Sequence, residues 1–333
     1  MTVRLLAFTE RGFALARRLG EALEGEALRC GAPLGLADWT AAAFAEAEAL
    51  VFVGAAGIAV RAIAPHVRHK AQDPAVVVVD EGGRFAVPLL SGHLGGANDL
   101  ARRIAALCGA EPVITTATDV RGLFAVDEWA KRQNCRVENP EAIKRVSGKI
   151  LSGGQAGVHS PWPIEGTPPP EVCLAEEADC DVLLTVRRTE GDCLRLIPAA
   201  AVLGVGCRRG TRQETLEAAF QRLLADSGLH PLAFRKACSI DLKREEPGLL
   251  AFCAAHGLPF ETFPAQALQR AEGAFSPPSD FVRSVTGVDN VCERSAVLGS
   301  GGTLYWKKQA GNGVTMAVAL APVSTDWRWN DGW

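Results

Sequence analysis

The chain has 333 residues, enough for two or three domains at roughly 100–200 residues each. Its 48% apolar and 22% charged content is that of a globular protein, which excludes general disorder and fibrous architecture. With 35 Lys and Arg against 38 Asp and Glu the formal net charge is −3, so neither nucleic acid nor a membrane is expected as a partner, and any anion site must be a local cluster. The ten cysteines include no Cys-x-x-Cys pair, which argues against a zinc knuckle or a thioredoxin-type motif. No apolar leader and no stretch of spanning length is read. The expectation is a soluble, reduced, cytoplasmic protein.

Taken in chain order, the first 120 residues alternate in period. Val3–Phe8 is a short apolar run that Thr9-Glu-Arg-Gly12 turns into an amphipathic helix. Ala49–Val53 repeats the plan through Gly54-Ala-Ala-Gly57 and a helix stopped at Pro65. Ala75–Val79 is a buried strand, followed by a Gly-Gly turn and Phe85–Leu90; then Ser91–Gly96 opens the helix Ala97–Leu107, and Glu111–Thr115 is a last strand. Short, evenly apolar strands between amphipathic helices indicate a largely parallel sheet covered on both faces. The middle is less regular: Leu123–Arg136 and Pro140–Leu151 read as helices, Ser152–Glu171 as a Gly/Pro-rich linker, and Asp181–Arg187 and Cys193–Ile197 as strands. From Val202 the first pattern returns, and two strands pair across Gly311-Asn-Gly as a hairpin. The fold class is therefore α/β: two α/β domains with mainly parallel or mixed sheets, residues 1–122 and 201–322, joined by a middle segment, 123–200, and followed by a tail, 323–333, with no periodicity.

The recurring device is a strand that ends in glycines and opens a helix. Glycine permits a tight turn and close approach of a ligand, while free helix N–H groups favour an anion, although a compact turn needs glycine for its own sake. Gly54 and Gly57, with Arg61 on the helix behind them, form one such mouth; Ser91, Gly92, Gly95, Gly96 and Asn98 form another; Cys207, Arg208 and Arg209 a third. In an open α/β sheet they are expected to line one edge and serve one ligand. None matches a named nucleotide motif. His93 lies among the glycines of the second mouth, where a group titrating near neutrality suits a general base. Arg208 and Arg209 oppose the helix dipole unless an anion sits there, so they are read as carboxylate ligands. Cys207 beside them is a candidate for a lowered pKa. Thr211 and Glu214 fit a capping box, as do Asn290 and Glu293. Asp241 and Lys243 alternate on one strand face, as a surface pair or as an acid and a cation toward the ligand.

The stretches GAAGIAVRAIAP, DPAVVVVDEGGRFAVPLLSGHLGGANDLA and TTATDV, followed by LGVGCRRGT, SIDLKREEPGL, GVDNVCERSAVL and GVTMAVA, resemble in order the two halves of the cobalt-precorrin-5A hydrolases of anaerobic cobalamin synthesis, the CbiG family. The resemblance spans about residues 1–322 and leaves out the tail. It implies hydrolytic opening of a δ-lactone on a cobalt corrinoid and release of acetaldehyde. No cofactor or metal site is expected, the cobalt being carried by the substrate, and other enzymes of the pathway are the expected protein partners. Joined to the residue reading, it makes His93 the base and the Gly92, Gly95 and Gly96 backbone the oxyanion donor. Glu293 and Asp241 are the further acid/base candidates, and the remaining mouth residues, with Lys243, bind the substrate carboxylates. The rival reading is a non-catalytic carrier of a corrinoid intermediate.

Overall fold

Short apolar runs set the central strands of the first sheet. The computed structural model describes residues 1–31, 35–69 and 72–329, divided between two units, Met1–Glu128 and Trp129–Trp333. In the first unit the order is β1 (Val3–Ala7), α1 (Glu10–Leu23), β2 (Glu26–Arg29), α2 (Leu36–Glu46), β3 (Ala49–Val53), α3 (Ala56–Ile63), β4 (Ala75–Val79), β5 (Phe85–Leu90), α4 (Ala97–Cys108), β6 (Glu111–Pro112) and α5 (Ala117–Arg121). The sheet runs β2-β1-β3-β4-β5-β6. Because successive side chains point to opposite faces, Leu5, Val51 and Val77 pack under α1 and α4, while Leu6, Leu50, Phe52 and Val76 pack under α2 and α3. Each such side chain is worth about 1.5–3 kcal/mol when buried. The sequence reading lacked β2 and α2. The strand is a half-exposed edge, and the alanine-rich helix has little contrast between its faces.

One reversal matters for the site. β1, β2, β3 and β4 are mutually parallel, but β5 pairs antiparallel to β4, with Val79 opposite Ala86 and Val76 opposite Leu90, and β6 follows β5 in parallel. The loop after β5 therefore leaves the sheet at the edge where β4 begins.

α6 (Val126–Arg132) carries the chain across the boundary between the units. It is shorter than the expected helix because Asn134, with φ 52°, turns the chain into a strand. There follow β7 (Cys135–Val137), α7 (Ile143–Leu151), β8 (Ala156–His159), β9 (Ile164–Glu165), β10 (Val172–Leu174), β11 (Val182–Leu184) and β12 (Leu194–Pro198). These form a five-stranded sheet, β10-β8-β11-β12-β7. The Gly/Pro-rich stretch expected to be a linker thus contains β8, a central strand whose Ala156 and Val158 are fully buried.

The last part comprises β13 (Ala201–Cys207), α8 (Gln213–Ser227), β14 (Phe234–Ile240), α9 (Pro247–Ala255), β15 (Phe260–Phe263), α10 (Ala265–Arg270), α11 (Asp280–Thr286), α12 (Val291–Ser300), β16 (Thr303–Gly311), β17 (Val314–Leu320) and β18 (Thr325–Asp326). Its mixed sheet runs β15-β14-β13-β17-β16. Leu203, Val205 and Val318 bury one face against Leu216, Phe220 and Phe252 of α8 and α9, and Phe220 meets Phe252 edge-on at 5.5 Å. α12 covers the other face. The hairpin turn has Asn312 at φ 52° and Gly313 at φ 77°, as a type I′ turn requires. The tail does not hang free: β18 pairs with β9, and Trp327 stacks on Trp129 at 5.3 Å. Residues 330–333 of the expected tail lie outside the described residues.

Candidate active site

After β5 the chain turns at Ser91, which takes a left-handed φ of 57° and donates its hydroxyl to the Asp73 carbonyl at 2.9 Å. The glycines that follow close the loop tightly. A Cβ on Gly95 would lie 2.4 Å from the Ser91 Cβ, and one on Gly92 would lie 2.8 Å from Asn98 Oδ1. Gly96 N–H donates to the His93 carbonyl at 2.9 Å, and Asn98 N–H donates to Gly92 at 2.9 Å. Gly96 is therefore already engaged and drops out of the expected oxyanion donor set.

This loop sets His93 among three carboxylates contributed by two later helices, α5 and α6. Nε2 lies 2.8 Å from Asp119 Oδ2 on α5, and Nδ1 lies 3.1 Å from both Asp127 oxygens on α6. Glu128 Oε1 stands 3.6 Å from Nε2 and makes no hydrogen bond, although it is a buried atom. Asn98, itself buried, donates from Nδ2 to Thr116 Oγ1 at 2.9 Å and to Asp119 Oδ2 at 3.2 Å. Arg102, one turn along α4, holds Asp119 Oδ1 at 2.6 Å. The four members of this cluster without a sequence expectation are Asp119, Asp127, Glu128 and Arg102. Asp127-Glu128 did carry a signal, an acidic pair between the apolar Phe124-Ala-Val126 and Trp129-Ala130.

Electrostatics change the expected role of His93. Burial alone would lower its pKa, but the hydrogen bonds to Asp119 and Asp127 and the charges of Asp127 and Glu128 outweigh it and raise the imidazole to about 10. In this arrangement the ring is protonated at neutral pH and is not the free base expected from the sequence. Burial raises Asp119, yet its bonds to His93, Thr116 and Arg102 prevail and hold it near 2. Glu128 has burial as the largest influence and is pushed up to about 7.

The other expected mouths are placed differently. Gly54 follows β3, and its N–H donates to the Val79 carbonyl at the far end of β4, so the Gly54 and His93 loops lie at opposite edges of the sheet. The expected common edge fails here because β5 runs antiparallel; five residues of β4 separate the two loops by roughly 16 Å. Gly54 is required by packing, since a Cβ there would lie 2.6 Å from the Phe8 ring. Gly57 is already inside α3, and Arg61 folds back onto its carbonyl at 3.0 Å.

In the second unit the loops after β13 and β14 do meet. Glu246 accepts from Gly210 N–H at 2.6 Å and from Lys243 at 2.9 Å. Asp241 and Lys243 sit on a short 3-10 turn, not on a strand; Asp241 accepts from Arg244 and Thr262 at 2.8 and 2.7 Å. Cys207 is raised, not lowered, because burial outweighs the nearby Lys243 charge. Arg208 and Arg209 are exposed, and Arg208 lies over Gly313 of the hairpin turn. The Thr211 capping box is not formed: α8 takes Arg212 as its N-cap, and Thr211 donates instead to the Arg208 carbonyl at 2.8 Å.

Glu293 is fully buried and accepts from Ser276 N–H and Oγ, Lys308 N–H and Asn290 Nδ2 at 2.6–2.7 Å. Burial raises its pKa, but these donors outweigh burial and hold it below the ordinary value. Both oxygens are occupied, so the side chain fastens three segments together and is no longer a candidate for proton transfer. Glu293→Gln is expected to cost about 1–3 kcal/mol at pH 7, because at least one donor is left facing an amide N–H. A depressed carboxylate stabilises the fold above its unfolded pKa, near 4.5, and loses that contribution as pH falls through the folded value. Urea unfolding of both proteins should therefore show the gap narrowing on acidification below about pH 4.5.

These observations define an α/β protein that buries one imidazole among three carboxylates at a loop–helix junction. The chain belongs to the cobalamin synthesis G family: the family's N-terminal region matches residues 38–119, its central region 124–198 and its C-terminal region 201–319. It is 37% identical to the cobalt-precorrin-5A hydrolase of Salmonella typhimurium over 96% of this chain and 98% of that one. It is 32% identical to the enzyme of the same name from Priestia megaterium, over 84% and 80% of the two chains. A solved cobalamin biosynthesis protein G homologue from Sulfolobus solfataricus is 21% identical, with a TM-score of 0.42, and covers 96% of this chain and 97% of its own. Among the described residues no helix is long and apolar enough to cross a membrane.

Proposed function

We propose that the protein is a cobalt-precorrin-5A hydrolase. The observation that carries this reading is the 37% identity to the Salmonella typhimurium enzyme across nearly the whole of both chains. The cobalt belongs to the substrate. Water adds across the lactone C–O bond to give a carboxylic acid and a free alcohol. The alcohol then loses its proton, the carbon–carbon bond to the macrocycle breaks, and acetaldehyde leaves. The bond pair stays on the macrocycle carbon, which takes up a proton.

The His93 centre suits the first step, since it gathers an imidazole oriented by Asp127, a carboxylate anchored by Arg102 and an unengaged Glu128 oxygen. Arg208 and Arg209 are assigned to substrate carboxylates, being exposed cations at a loop before a helix. Arg208→Ala is then expected to weaken corrinoid binding roughly tenfold, the worth of one charge-assisted hydrogen bond, with kcat unchanged because the carboxylate is present before and after reaction. Equilibrium binding of the corrinoid beside steady-state rates checks this. Incubation with cobalt-precorrin-5A and a chemical trap for acetaldehyde tests the function itself; no trapped aldehyde from folded protein would end the reading.

A further inference from the structure

The His93 centre leaves one buried acceptor, Glu128 Oε1, without a hydrogen-bond partner. Asp127 faces Nδ1 at 3.1 Å through both oxygens, so Nδ1 carries a hydrogen and donates it. Nε2, the other ring nitrogen, then points between Asp119 Oδ2 at 2.8 Å and Glu128 Oε1 at 3.6 Å. A proton on Nε2 can serve Asp119 at 2.8 Å but leaves Glu128 Oε1 beyond hydrogen-bond reach, and the imidazolium and Arg102 face three acids. The three atoms converge on one point, where a bound cation could replace that proton and reach all of them. Glu128 marks the place: its side chain is only 10% exposed, and Oε1 has no hydrogen-bond partner. A buried acceptor left unmade costs about 1–3 kcal/mol, which a ligand at that point would recover.

We propose that His93 Nε2, Asp119 Oδ2 and Glu128 Oε1 bind a divalent first-row transition ion. The three atoms lie within 4.8 Å of one another, and an ion at about 2.0–2.2 Å from each needs only a small opening of the cluster. One nitrogen with two carboxylate oxygens suits zinc or manganese better than magnesium or calcium, which take all-oxygen sets. The surroundings are those of a metal ligand shell. Metal-bound histidines characteristically donate their second N–H to a carboxylate, the part Asp127 plays. Asp119 keeps Oδ1 on Arg102 and receives Asn98 Nδ2 at 3.2 Å on Oδ2, so its orientation is fixed as well. Three protein ligands leave a coordination position for water, the pattern of a catalytic site.

The role of the ion rests on the hydrolase reading, whereas its binding does not. Held by His93, Asp119 and Glu128, the ion would supply Lewis-acid activation of a water; that water would add to the lactone carbonyl carbon, the ring C–O bond would break, and the water's proton would pass to the departing alkoxide. Acid and alcohol are the products, with no oxidant or reductant required.

The test omits substrate. Full-length protein stripped with a chelator is titrated with zinc against a chromophoric competitor at neutral pH. One equivalent should bind to the wild type, Asp127→Asn should bind it about 10–100-fold more weakly, and His93→Ala and Glu128→Gln should lose it. Glu128→Gln is isosteric and carries the test if His93→Ala does not fold, as judged by near-ultraviolet circular dichroism. Cobalt(II) in place of zinc should give d–d absorption without a sulfur charge-transfer band. No binding by the wild type, full binding by Glu128→Gln, or a thiolate band from one of the cysteines would overturn the site. The acetaldehyde assay is separate: an ion-binding protein inert toward cobalt-precorrin-5A ends the hydrolase reading and leaves the site standing, and a hydrolase without the ion does the reverse.

Discussion

Replacing His93 by alanine is expected to lower acetaldehyde release from cobalt-precorrin-5A by about 10²–10⁴-fold, the span that follows loss of a positioned acid–base group, while the corrinoid still binds within a few-fold. The expectation stands on convergence. The imidazole reaches Asp119, Asp127 and Glu128, at 2.8, 3.1 and 3.6 Å, and no other candidate from the sequence is as well placed. Glu293 has both oxygens committed to four donors, and Asp241 is half exposed and paired with Arg244. A uniform rise in KM with kcat intact would mean that His93 only holds substrate. Full turnover by the folded variant would move the chemistry away from this loop altogether.

The second large effect concerns stability. Gly204→Ala should destabilise the protein by ~3 kcal/mol, the upper end of the usual cost of overpacking. A Cβ at Gly204 would come to 1.8 Å from the Cys292 carbonyl oxygen and 2.9 Å from the Ala296 Cβ, both on α12. That oxygen belongs to a helix backbone and cannot swing aside, so the whole helix would have to back off β13. Against this, alanine in place of glycine restricts the unfolded chain and stabilises by about 0.4–1 kcal/mol, which is too little to reverse the sign. Gly206→Ala is the control: its Cβ would meet only the Thr315 hydroxyl, at 2.5 Å, a side-chain atom that can rotate away at the cost of its 3.3 Å hydrogen bond to the Gly206 carbonyl. Urea midpoints of the two variants should separate clearly, and a neutral Gly204→Ala would show that α12 does not seat on the sheet at that depth.

These two residues also show what the sequence could and could not reveal. Ala49–Val53 and Ala75–Val79 were legible as strands because they are apolar on both faces, the mark of a covered sheet. The Gly82-Gly83 turn was equally visible, but its consequence was not: the reversal of β5 puts the His93 loop at the edge opposite Gly54, and only strand pairing discloses that. Gly204 and Gly206 lead into the Cys207 mouth expected to bind a ligand, whereas their missing side chains make room for α12 and Thr315. His93 stood out as an imidazole among glycines. Its partners did not, because Asp119 and Asp127 lie 26 and 34 residues downstream, a separation that no local spacing rule connects. Arg102 was hidden for a related reason, being one of several charges on an amphipathic helix.

The stacked pair Trp129 and Trp327 has an optical consequence. Two indoles 5.3 Å apart and tilted by only 11°, both almost wholly buried, couple their ultraviolet transitions strongly. Such coupling produces a paired positive and negative band in circular dichroism that vanishes when either ring moves away. Trp129 opens the second unit and also donates its indole N–H to the Asp326 carbonyl, so the signal reports one local event, the docking of β18 and its neighbours against α6. A chain with the tail released would keep its helical spectrum and lose that couplet, giving a label-free reading of this terminus during unfolding or on addition of a corrinoid.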